Sequence, residues 1–136
     1  MAGTTGTAVD IAIVCSDFEA SLRFYRDLLG LEIHKEVEIS ADIAGALGLA
    51  PRGFRQVRLK AGHALIKLME IADPPEPVPD TFAAGVRWIT FFVDDLPPIY
   101  ADWKSKGVVF LSELPDEGTI ICARDPNGVI VELIQQ

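Results

Sequence analysis

The order of elements in this chain repeats, and the residues keep a fixed offset between the two copies. Asp10-Ile11 to Ser16-Asp17 lies 78 positions before Trp88-Ile89 to Asp94-Asp95, and His63 to Ile71 lies 65 before Gly128 to Gln136. The second copy is the first with shorter loops. A repeated unit of a few strands and one helix cannot bury both faces of its sheet alone. The two sheets are therefore expected to pair into one curved structure around a shared, cup-like cavity.

Within the first copy, Val9 to Cys15 suits a buried strand, and Ser16-Asp17-Phe18-Glu19 supplies a capping-box pattern for a helix start. Leu22, Tyr25 and Leu29 fall at helical spacing, and Gly30 stops that helix. Leu31 to Ile39 reads as a second strand and Ala41 to Leu49 as one or two helical turns. Phe54 to Lys60 and Ala64 to Ile71 read as two strands joined through Ala61-Gly62-His63. Pro74, Pro75, Pro77 and Pro79 keep the next segment out of any sheet interior. In the second copy Val86 to Val93 is a strand, Asp94-Asp95 opens a helix that tolerates Pro97 and Pro98 in its first turn, and Gly107 ends it. Val108 to Leu111, Thr119 to Arg124 and Val129 to Ile134 complete it, with turn chemistry at Asp125-Pro126-Asn127-Gly128. The fold class expected is α+β, two βαβββ modules over 8–71 and 82–136 with a linker over 72–81, in a single domain of 136 residues.

Charge narrows the partners. Lys plus Arg number 12 against 20 Asp plus Glu, a formal charge of −8, which repels nucleic acid and acidic membranes and favours a cationic or neutral small molecule. No apolar run approaches the roughly 20 residues that cross a bilayer. Met1 to Thr7 lacks the basic start and apolar stretch of a secretory signal, so a cytoplasmic place is expected. Cys15 and Cys122 both lie in apolar strand-like runs without CxxC spacing and are expected to be buried and reduced. Trp103, mid-helix near Tyr100, is expected in the core or an interface, and His34 and His63 on the surface.

Ser16-Asp17-Phe18-Glu19-Ala20-Ser21-Leu22-Arg23-Phe24-Tyr25, then Leu28-Leu29-Gly30-Leu31, and Asp125-Pro126-Asn127-Gly128 followed by Val131-Glu132-Leu133-Ile134, resemble the vicinal oxygen chelate superfamily. That superfamily includes glyoxalase I, methylmalonyl-CoA epimerase, extradiol dioxygenases and the bleomycin-resistance proteins. The resemblance spans nearly the whole chain and implies the glyoxalase-like fold and a homodimer. It also implies where metal ligands would stand, one on the first and one on the last strand of each half. Those positions hold Asp10, Lys67, Trp88 and Glu132, and the repeat pairs Asp10 with Trp88 and Lys67 with Glu132. An ammonium repels a cation and an indole offers it no lone pair, so neither a metal nor another cofactor is expected, and glyoxalase I activity is disfavoured. Asp10 and Glu132 with waters around a hard cation are the weaker alternative.

Strand alternation sets Ala12 and Val14 on the face of Asp10, and Thr90 and Phe92 on the face of Trp88. Asp10, Lys67, Trp88, Thr90, Phe92 and Glu132 are thus the expected ligand-binding set. One function is binding of a small, partly aromatic organic molecule, as in sequestration or drug resistance, with Trp88 as platform. The alternative is a lyase, isomerase or epimerase with Glu132 or Asp10 as general base and Lys67 stabilising an oxyanion in the metal's place. Lys67 is expected to pair with one or both of the carboxylates Asp10 and Glu132. Lys67 and Glu132 mutually satisfied in a tight pair favour the first function, and the two left free over an open cavity the second.

Overall fold

Two four-stranded sheets, one from each half of the chain, carry the fold. The structure, a computed structural model, describes residues 3–136, so the part of the N-terminal reading that falls on Met1 and Ala2 lies outside the described residues. The chain divides into two compact units, the first ending at Glu76 and the second beginning at Pro77.

In the first unit β1 (Ile11–Val14) leads to α1 (Phe18–Leu22), a π-helical turn (Arg23–Leu28), β2 (Ile33–Ile39), α2 (Ala41–Leu47), β3 (Phe54–Ala61) and β4 (Ala64–Glu70). The strand order is β1-β4-β3-β2, with β1 parallel to β4 and the other neighbours antiparallel. The helix cap is Asp17 and not Ser16: Asp17 has extended backbone, and its Oδ1 accepts the Ala20 N–H at 3.1 Å. The regular helix expected up to Gly30 loosens from Arg23 on, where the Leu29 N–H reaches back five residues to the Phe24 carbonyl at 3.0 Å. This wider turn accommodates two neighbouring aromatics in the core. Phe24 and Tyr25 are both buried and meet edge to face at 5.0 Å. They join Ile13, Phe18, Leu22, Val57, Leu59, Ile66 and Leu68, all buried. A second cluster, Ala44, Phe54, Met69 and Ile71, lets α2 cover one end of the other sheet face.

The second unit runs β5 (Trp88–Val93), α3 (Leu96–Ser105), β6 (Val109–Phe110), β7 (Ile120–Arg124) and β8 (Ile130–Gln135), in the order β5-β8-β7-β6. The fifth strand starts two residues later than expected, because Arg87 donates to the Thr81 carbonyl at 2.9 Å and Val86 is left exposed. Asp95 makes no side-chain cap for α3. The Leu96 N–H is taken instead by Gln135 Oε1 at 2.7 Å, a partner from the last strand. Trp103 is buried with Leu96, Ile89, Ile121, Val131 and Leu133. At the Asp125 turn, Oδ1 accepts from the Asn127 and Val129 N–H groups at 2.8 and 2.9 Å.

The register repeats as faithfully as the sequence. Ala12 faces Lys67 across the parallel pair β1/β4, and Thr90 faces Glu132 across the parallel pair β5/β8, at the same offsets of 78 and 65. The architecture is therefore α+β, built of two like modules.

Candidate functional site

In the first unit the residues of interest lie on the sheet face turned away from α1. Ile13, Ile66 and Leu68 point into the core, so their neighbours Ala12, Val14, Lys67 and Met69 take the opposite face. Asp10, just before β1, is spent twice on that face. Its Oδ1 accepts the Leu65 N–H at 3.1 Å and its Oδ2 stands 3.3 Å from Lys67 Nζ. Both side chains are partly shielded, at 36% and 25% exposure, so the attraction is less screened than between surface charges. Of the two carboxylates the sequence offered to Lys67, Asp10 is the one that pairs with it, while Glu132 Oε1 accepts from Thr90.

In the second unit the cross-strand register arranges the equivalent face as three rows. Trp88, Ile130 and Arg124 form the first, Thr90, Glu132 and Cys122 the second, and Phe92, Ile134 and Ile120 the third. The middle row is polar and its flanks are mainly apolar. The Trp88 indole Nε1–H donates to Thr90 Oγ1 at 3.1 Å, and the Thr90 hydroxyl donates in turn to Glu132 Oε1 at 2.7 Å. One hydroxyl thus fixes the indole and ties down one carboxylate oxygen. Trp88 and Phe92 remain 54% and 59% exposed, unusual for large aromatics.

Cys122 departs from expectation. Ile121 and Ala123 fill the core, so alternation turns the Cys122 thiol to the Glu132 side, where it is only partly buried. Burial first, and the nearby Glu132 carboxylate second, push its pKa up from the ordinary thiol value. Cys15 is buried, and neither cysteine is in a disulfide. His34 and His63 are exposed, on β2 and on the turn before β4.

The donor chemistry does not fit a metal. Lys67 is an ammonium already paired with a carboxylate, and the Trp88 nitrogen carries its hydrogen toward Thr90. Among the described residues no group of three or more His, Cys, Asp or Glu side chains converges as a metal site would require. Nor is any helix among them long and apolar enough to cross a membrane.

Residues 7–133 match the family model of the Glyoxalase/Bleomycin resistance protein/Dioxygenase superfamily. The uncharacterized protein YaeR of Escherichia coli K12 is 30% identical over 129 residues, 93% of each chain. Among solved structures, a glyoxalase family protein from Bacillus cereus has TM-score 0.76 at 18% identity, covering 99% of this chain and 97% of that one. The trypanothione-dependent glyoxalase I of Leishmania major has TM-score 0.71 at 18% identity, covering 98% and 87%. At such identity these two likenesses speak to the fold.

Proposed function

We infer, for a chain that belongs to the Glyoxalase/Bleomycin resistance protein/Dioxygenase superfamily, a protein that binds a small, partly aromatic organic molecule without a metal. The observation that carries this reading is the Trp88–Thr90–Glu132 hydrogen-bond chain beneath two exposed aromatic rings. An indole held at its nitrogen is a prepared stacking surface, so little rotamer freedom remains to be lost when a flat ligand settles on it. The second oxygen of Glu132 can accept a hydrogen bond from a polar group of that ligand. Phe92 supplies apolar contact on the other side of the polar row.

The alternative, a lyase, isomerase or epimerase with Glu132 or Asp10 as general base and Lys67 in the metal's place, has less support. Asp10 and Lys67 neutralise each other, and Asp10 also serves a backbone amide. Both oxygens of Asp10 are thus engaged within the protein, which leaves neither presented to a substrate proton. A cytoplasmic place and a homodimer belong to the same reading. The dimer is supported by the unpaired outer edges of β1, β2, β5 and β6, which chain pairing can cover.

A thermal-shift screen against aromatic antibiotics, acyl thioesters and divalent metals identifies ligands, and titration of a hit against three variants tests the site. Trp88→Ala should weaken binding by about 1–3 kcal/mol with little loss of fold stability. Lys67→Met should leave most of the affinity, and Glu132→Gln should weaken ligands that donate a hydrogen bond. A catalyst would instead lose turnover by roughly 10² or more on Lys67→Met. Wild-type affinity in Trp88→Ala overturns the assignment.

A further inference from the structure

The first unit carries a second feature that the reading above does not use. On its open face, cross-strand register sets Lys35, Arg58 and Lys67 side by side on β2, β3 and β4. Three cations in one row stand out in a chain of net charge −8. The acids of the neighbouring strands do not answer them. Glu36 and Glu70 lie on the opposite face, where both bind Arg55. Asp10 is the carboxylate that reaches the row, and it is engaged with Lys67. Arg58 is aimed by Gln56, whose Oε1 accepts from Arg58 Nε at 2.6 Å and whose side chain is buried. That bond fixes the guanidinium plane and leaves both Nη groups of this half-buried side chain to meet another acceptor.

The next row on the same face is Val37, Gln56, Met69 and Val14, one strand repeat away, or about 7 Å. It borders a cleft of about 310 Å³, lined mainly by Val14, Leu49, Ala50, Met69, Ile71 and Pro75, at the lower end of the size range of small-ligand sites. Arg52 and Asp73 stand at the same cleft. Arg52 is turned onto the Ala72 and Asp73 carbonyls, at 2.6–3.0 Å, so it braces the wall.

We propose that this face binds an amphipathic organic anion, its carboxylate or phosphate received by Arg58 with Lys67 and Lys35 beside it, and its apolar chain lying in the cleft over Val14, Met69 and Ile71. The charge of the row selects the head, and the apolar walls select the tail. Every residue involved belongs to the first unit, so the proposal stands or falls separately from the role of Trp88.

Octanoate, octyl phosphate and octylammonium, equal in chain length and opposed in charge, test it on the full-length protein by calorimetry and by methyl NMR. At least one of the two anions should bind, and which of them binds more tightly identifies the head group. Octylammonium should bind at least roughly tenfold more weakly. Arg58→Gln should weaken the bound anion by a similar factor. In the wild type, which needs no substitution to fold, the first methyl signals to shift should be those of Val14, Met69 and Ile71. Equal binding of octylammonium, unchanged affinity in Arg58→Gln, no binding of either anion, or shifts centred on Ile120, Ile130 and Ile134 would each overturn the proposal.

Discussion

Cys122 shows how far one side chain depends on its row. Its run, Ile120-Ile121-Cys122-Ala123, is apolar throughout, so hydrophobic alternation says nothing about which face the thiol takes. Pairing with Glu132 decides it. Because burial and the Glu132 charge both disfavour the thiolate, Cys122 should stay protonated and slow toward iodoacetamide at neutral pH. Its half-maximal reactivity should fall above the ordinary thiol range near about 8.5. Glu132→Gln removes the carboxylate's share and should lower that midpoint part of the way, leaving the share due to burial. Peptide-level mass spectrometry separates it from buried Cys15, and a midpoint at or below the ordinary range would contradict this. The family resemblance marked Asp10, Lys67, Trp88 and Glu132 and the repeat paired them, and the register sets Lys67 and Glu132 at equivalent places. Which carboxylate meets Lys67 was left open by the sequence. The Trp88–Thr90–Glu132 chain was legible only as shared face, because hydroxyl and indole orientation depend on side-chain torsions that no spacing encodes.

At the scale of elements, strands bounded by glycine and proline were legible to within about two residues, and the exceptions have local causes. Asp17 took the cap from Ser16, and the helix behind it widened to seat Phe24 and Tyr25. The Lys35–Arg58–Lys67 row was hidden for a different reason. The register between β2 and β3 shifts between Ile33 and Lys35, and a shift of one residue changes which side chains share a face. The Asp125-Pro126-Asn127-Gly128 turn was readable as chemistry, yet its partner was not. Gly128 sits at φ +84°, and a Cβ there would come within 2.5 Å of the Val78 carbonyl oxygen. Val78 in turn donates its N–H to the Asn127 carbonyl at 2.8 Å. Gly128→Ala therefore meets both an unfavourable backbone region and a backbone wall, and should cost about 1–3 kcal/mol in denaturant unfolding. A loss below about 0.5 kcal/mol would mean that the 78–80 segment does not hold against this turn.

For the whole molecule, the two units repeat in register at the offsets of 78 and 65 that the sequence carries. A net charge of −8 nonetheless coexists with a row of three cations on one sheet face, so the sum of charges does not describe every surface of the chain. If chain pairing covers the sheet edges, light scattering across micromolar concentrations should give about twice the 14.8 kDa chain mass. A mass near one chain throughout would refute the dimer. The central claim concerns the Trp88 face, and a crystal structure with the tightest aromatic ligand from the screen tests it most directly. The account predicts a flat group stacked on Trp88 and in contact with Phe92, a polar atom within hydrogen-bonding distance of Glu132, and no metal between ligand and protein. A ligand seated away from these residues, or one bridged to Glu132 through a metal ion, would contradict it.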